Sequence, residues 1–247
     1  MIIEWIILFS LLGSIGAIIT AAIFLLFPER VQKVLIPCLI SYATGILLAA
    51  ALLGLIPHAL SNTSSQNILF TVLIGIILFF LLEKLMIWRH CHEKECEVHK
   101  VTAPMILLGD FFHNLTDGFV IAASFLSSFP VGVVAGLSII AHEIPQEVGD
   151  FGILLHSGYK RRKALLLNTL SGLSTIPGAI LAYYALELIQ AAVPYVMAIS
   201  ASSFLYIALA DLTPELHRSI RLWDAVRQIV LLLAGVMTIT LILQFHP

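Results

Sequence analysis

Two short strings carry the residues best suited to metal or proton chemistry: Asp110, His113, Asn114 and Asp117, then His142, Glu143, Gln146, Glu147 and Asp150. Each string lies inside an otherwise apolar run of roughly twenty residues, the length that crosses a bilayer. A charged side chain at that depth costs at least ~2.5–3.5 kcal/mol, so such groups line ion or proton paths or pair with one another. Imidazole nitrogens and carboxylate oxygens together form the donor set of a divalent transition metal.

Helical spacing sharpens this reading. Positions one turn apart share a face, so Asp110, His113, Asn114 and Asp117 form one polar stripe. In the second string His142 pairs with Gln146 and Glu143 with Glu147 at i,i+4, giving two neighbouring stripes. Only a few residues connect the two runs, which should therefore lie antiparallel with their stripes facing. A shared cation would offset the repulsion between them. Pro145 removes a helical hydrogen bond and frees the carbonyl of Ala141, which lipid tolerates only beside a cavity or ligand. Asp110 and Asp150, nearer the ends of their runs, read either as the mouth of a pathway or as helix caps.

The rest of the chain must position these groups within a membrane. Of 247 residues, 60% are hydrophobic and 11% charged, and the mean hydropathy is +1.01; soluble domains are about a quarter charged. The net charge of −2 argues against nucleic acid as a partner. Cys38, Cys91 and Cys96 make no disulfide framework. The N-terminal run, long and with Glu4 near its beginning rather than a basic start, reads as a span and not as a cleavable signal.

Hydropathy and turn residues predict an all-α integral membrane protein of eight spans in a single domain, 1–247. The spans are Ile2–Phe27, Leu35–Leu60, Ile68–Trp88, Pro104–Ser127, Val131–His156, Ala164–Glu187, Val193–Leu216 and Ala225–Phe245. All 13 Lys and Arg fall in or beside alternate connections, after spans one, three, five and seven. The positive-inside rule then places those connections in the cytoplasm and both termini outside. Gly13, Gly16, Gly45 and Gly54 fit close helix contact better than chemistry.

At this point the residues resemble a known family. HNxxDG and HExPxExGD, on consecutive spans of an eight-span chain, look like the ZIP (ZRT/IRT-like) divalent-metal transporters. The stretch His113–Phe125, HNLTDGFVIAASF, is similar to the fourth helix of the branch that carries HExPHExGD in its fifth. The resemblance extends to span number, orientation, a His-rich third loop and the Pro57-His58 and Pro214-Glu215 helix ends. It implies an eight-helix bundle with a two-metal site between helices four and five. Carried over by position, His113, Asp117 and His142 bind one metal, and Asn114, Asp117 and Glu143 the second, with Asp117 bridging. Gln146 stands where this branch has His and many bacterial members have Glu, so a weaker neutral donor replaces a ligand; Glu147 matches the pattern and is a further candidate. Span six lacks the acidic ligand of many members before Glu187, leaving Asn168, Ser171 and Ser174 as its polar groups. The expected cargo is Zn²⁺, with Fe²⁺, Mn²⁺ and Cd²⁺ as the other ions such donors accept.

Other residues carry weaker signals. The third loop, about 89–101, holds His90, Cys91, His92, Cys96 and His99, a set able to contact soft-to-borderline metals although its spacing matches no closed zinc module. His58 is an entrance ligand or an interface histidine. Asp211 and Glu215, one turn apart, line an inner exit or cap a helix beside Arg218; His156 and His217 are similarly open. Two other functions compete. An intramembrane zinc-dependent protease or hydrolase would use His142-Glu143 as the start of H-E-x-x-H, but Gln146 occupies the second histidine position. A coupled organic-solute carrier explains carboxylates but not the paired His and Asn. The chain is thus expected in the plasma membrane, with divalent metal ions and lipid as partners and a homodimer as its candidate assembly.

Overall fold

The computed structural model describes residues 2–61, 63–90, 98–217 and 221–245, excluding the side chains of 86–90, 98–106, 156 and 245. These residues form helices and no strand. Long apolar runs leave no alternative in lipid, because only a helix or a closed barrel satisfies every backbone donor and acceptor internally.

Eight helical rods follow in order: α1 Ile2–Phe24, α2 Glu29–Ser61, α3 Ser65–His90, α4 Val98–Ser127, α5 Phe129–His156, α6 Arg161–Leu188, α7 Gln190–Leu216 and α8 Leu222–Phe245. Among the described residues six of them, α1, α2, α3, α6, α7 and α8, are long and apolar enough to cross a membrane. The other two are α4 and α5, whose apolarity is lowered by the polar strings.

Several rods depart from regular α geometry, and most departures have a local cause. Wide π turns occupy Ala50–Leu55 in α2 and Ile207–Leu212 in α7, just before Pro57 and Pro214. A proline clashes with the carbonyl four residues earlier, and a π turn makes room for it. The expected continuous sixth span is instead two helices, Arg161–Gly172 and Thr175–Leu188. Pro177 accounts for the break, since its ring would meet the carbonyl of Leu173. A third π turn, Leu12–Gly16, contains Gly13 and Gly16 but no proline.

Small residues set which rods touch. A Cβ on Gly118 would overlap the backbone of Thr175 and Ala179, and one on Gly178 the carbonyl of Leu115, so α4 and α6 meet backbone to backbone. Gly45 and Gly235 do the same for α2 and α8, where the Tyr42 hydroxyl also meets Thr238 Oγ1 at 3.0 Å. Ser202 of α7 donates to the Val72 carbonyl of α3 at 3.0 Å, against Gly75. Such close approach is how helices gain dispersion energy where no hydrophobic effect separates helix from lipid. Ser128 caps α5 by accepting from Val131 N. This one-residue joint turns the chain sharply and lays α5 beside α4. The central core, with Phe9, Leu47, Phe125, Ile139, Met197 and Phe204, packs between the rods.

Candidate metal centre

α4 and α5 turn their polar stripes toward each other. His113 Nε2 lies 3.1 Å from His142 Nε2 and 3.2 Å from Glu143 Oε1. His142 Nε2 lies 3.4 Å from Asp117 Oδ2 and 3.6 Å from Glu143 Oε1, and His113 Nε2 to Asp117 Oδ2 is 3.8 Å. Zinc bonds of 2.0–2.1 Å place the corners of a tetrahedron roughly 3.3–3.4 Å apart. The four donors are therefore spaced as ligands around one small ion, and all lie within 4.8 Å of one another.

Their surroundings hold them in that pose. His142 Nδ1 is 2.8 Å from the Ser138 carbonyl; a carbonyl only accepts, so Nδ1 carries the proton and Nε2 keeps its lone pair for the cluster. That is the usual outer bond of a metal-bound histidine. Phe204 closes against the same ring, with centroids 5.9 Å apart. Asp117, His142 and Glu143 are buried, and neither oxygen of Asp117 or of Glu143 has a hydrogen-bond partner among the described residues. A carboxylate out of water without donors is costly unless a cation is its partner.

A second group sits one turn along. Asp110, Glu143 and Glu147 each offer an oxygen within 4.8 Å of the other two, and all three are buried. Asn114 Nδ2 donates to Asp110 Oδ1 at 2.9 Å, and Gln146 Nε2 donates to the same oxygen at 3.1 Å. The Asn114 carbonyl oxygen accepts from Thr175 Oγ1 at 2.9 Å. Asn168 of α6 donates to Glu147 Oε2 at 2.6 Å. Ser171 and Ser174 instead donate to the α4 carbonyls of Leu107 and Phe111, fastening α6 to α4.

A cavity of about 740 Å³ reaches the site, lined by His113, His142, Gln146, Asp110, Asp150, Asp211 and Glu215, with Ile36 and Ile40 among its apolar walls. Asp150, Asp211 and Glu215 thus line the cavity without joining the cluster itself. His58 is half-buried on α2 and belongs neither to the clustered donors nor to that cavity wall. Cys91, His92 and Cys96 lie outside the described residues, as do the side chains of His90, His99 and His156. Thr175 was missed in the sequence. Its signal was spacing, since Asn168, Ser171 and Thr175 fall on one helical face.

A bundle of membrane-length helices around a buried nest of imidazoles and carboxylates defines the class: a multi-pass membrane protein with divalent-metal donors at its centre. The family model of the ZIP zinc transporter matches residues 88–243, and the chain belongs to that family. It is 33% identical over 222 residues to zinc transporter ZIP13 of Pongo abelii, covering 84% of this chain and 66% of that protein. Identity to zinc transporter zipt-7.2 of Caenorhabditis elegans is 36% over 147 residues, 58% of this chain and 32% of the relative. To zinc transporter ZIP4 of Homo sapiens it is 40% over 112 residues, 45% and 17%. The chain therefore spans less than two thirds of the length of each of these three relatives.

Proposed function

We propose that this chain carries Zn²⁺ across a membrane into the cytoplasm, binding it midway through His113, Asp117, His142 and Glu143. The observation that supports this best is the tetrahedral spacing of those four donors at the inner limit of a cavity. The relatives named as zinc transporters support the choice of ion. Fe²⁺, Mn²⁺ and Cd²⁺ are the other ions these donors accept.

All eight rods span the bilayer in this reading, with both termini outside. The cavity agrees with that orientation. Ile36 and Ile40 of α2, Asp110 of α4, Asp150 and Ile153 of α5, and Asp211 and Glu215 of α7 all lie toward the ends that the positive-inside rule assigns to the cytoplasm. On the other side of the site Ile121, Phe125, Met197, Ala198 and Phe204 are buried together. The conformation is inward-facing, and zinc leaves past Asp110, Asp150, Asp211 and Glu215 toward the loop of His90, Cys91, His92, Cys96 and His99. Rods joined through glycine, α4 with α6 and α2 with α8, move as units when access alternates. Residence in the plasma membrane and a homodimeric assembly complete the proposal.

An intramembrane protease needs two histidines one turn apart on one helix, and α5 offers only His142 with Gln146. The test is zinc uptake into liposomes containing the purified chain. Uptake abolished by His113→Ala and by Asp117→Ala in well-folded protein is the expected result; undiminished flux in either variant refutes the assignment.

A further inference from the structure

Four of the 13 Lys and Arg stand in consecutive positions, Lys160, Arg161, Arg162 and Lys163, at the joint between α5 and α6. The joint has a fixed shape. α5 ends at Gly158 with φ +86°, where Gly158 N donates to the Leu155 carbonyl at 3.0 Å and Tyr159 N to the Leu154 carbonyl at 3.1 Å. These are the two bonds of a glycine-closed helix end. Tyr159 packs on Phe151, Leu154 and Ala164, and the Lys163 ammonium lies over its ring, 5.0 Å from the centroid. All four cations are exposed, and none makes an ion pair among the described residues. α6 begins here without a side-chain cap and with no acid in its first turn. Cations at the positive end of a helix are repelled by its unbonded N–H groups and by one another. The protein supplies nothing that offsets this repulsion.

The helix surface that follows the cations is apolar. Leu166 and Leu170 succeed Arg162 at steps of one turn, Leu165 succeeds Arg161 in the same way, and all three leucines are exposed. Residues so spaced share a face, and Arg162 stands about 6 Å along the axis from Leu166. Exposed leucines on a membrane-length helix lie against acyl chains, which sets the guanidinium groups at headgroup depth. We propose that this joint binds the phosphate headgroup of an anionic phospholipid. Lys160, Arg161 and Arg162 surround the phosphate oxygens, and the Leu166–Leu170 face lies along an acyl chain. That the lipid belongs to the cytoplasmic leaflet rests on the orientation proposed above; anionic lipids there attract basic segments beside a span. A guanidinium meets two phosphate oxygens at once, and the unbonded first-turn N–H groups of α6 favour the same charge. A free phosphate would leave the leucine face unused.

The experiment compares spin-labelled phosphatidylglycerol with spin-labelled phosphatidylcholine on the purified full chain in phosphatidylcholine nanodiscs, read as the motionally restricted fraction. Wild type prefers phosphatidylglycerol, and the preference fades as salt rises. Lys160→Gln/Arg161→Gln/Arg162→Gln weakens phosphatidylglycerol about tenfold or more, since each cation contributes roughly fivefold. Arg30→Gln/Lys33→Gln, which neutralises two cations at the start of α2, leaves binding unchanged. Glycerol 3-phosphate at the lipid's own concentration does not displace it. Binding unchanged in the triple variant, an equal loss in the Arg30 and Lys33 variant, or displacement by glycerol 3-phosphate overturns the proposal. In pure phosphatidylcholine the triple variant unfolds at a temperature no lower than wild type, because repulsion at the start of α6 is relieved. A lower temperature assigns the cations to the fold and also overturns the site. Nanodiscs present both leaflets alike, so these results depend on neither orientation nor transport. Wild-type liposomes that take up no zinc refute the transport reading instead.

Discussion

Replacing Asp117 by Asn separates a ligand from a structural group, because the two roles move stability in opposite directions. Asp117 is fully buried, its Oδ2 stands 3.4 Å from His142 Nε2, and neither oxygen has a hydrogen-bond partner among the described residues. The asparagine keeps the volume and removes the charge. With zinc bound, losing one member of a buried charged set costs about 3–5 kcal/mol. At 1.4 kcal/mol per tenfold, affinity falls by roughly two to three and a half orders of magnitude. At a zinc concentration one hundred times the wild-type Kd, binding stabilises the fold by about 2.7 kcal/mol, and a hundredfold loss leaves about 0.4 kcal/mol. Without metal the change removes a buried carboxylate that repels Glu143, so the metal-free variant is at least as stable as wild type. Thermal unfolding in detergent, with and without zinc, reads both quantities. A metal-free variant less stable than wild type, with its zinc-dependent stabilisation intact, would show that Asp117 serves the fold and refute the reasoning.

Three further outcomes follow from the same geometry. Gly118→Ala drives a methyl into the Thr175 carbonyl and the Ala179 nitrogen, and overpacking of about 1–3 kcal/mol or more should appear as a lower unfolding temperature and a smaller yield of monodisperse protein. Thr175→Val removes the hydroxyl that donates to Asn114 Oδ1; leaving that buried acceptor unpaired costs about 1–3 kcal/mol, measurable by unfolding, with a smaller loss of metal affinity. Zinc binding should weaken as pH falls, because His113, His142 and the carboxylates must shed protons to coordinate. Competition titrations at neutral and acid pH check the sign, and affinity that rises on acidification would contradict it.

The stripes on α4 and α5 were legible because helical spacing alone places Asp110, His113, Asn114 and Asp117 on one face and His142 and Glu143 beside Gln146 and Glu147. A short connection then brings the faces together, and the one-residue joint at Ser128 does so. What periodicity could not show is which oxygen each amide claims. Asn114 and Gln146 have the composition of ligands, yet both side-chain amides turn to Asp110, a choice fixed by α6 delivering Thr175 from the other side. The break in α6 was hidden by its uniform apolarity, although Pro177 marks it. The π turns of α2 and α7 escape any pattern built on a period of 3.6 residues.

The role of α6 follows from those bonds. It supplies no acid to the cluster, yet Asn168 holds Glu147, Thr175 holds Asn114, and Ser171 and Ser174 hold the α4 backbone. Each of these groups lies within five residues of the break that Pro177 enforces. The first segment touches both neighbours, α4 through Ser171 on Leu107 and α5 through Asn168 on Glu147, whereas the second lies along α4, with which it shares the Gly118–Gly178 contact. The carboxylates are thus held by neutral donors rather than by arginine or lysine. A cation from the protein would compete with the metal for the same oxygens, and an amide fixes their direction while leaving their charge for the ion that passes.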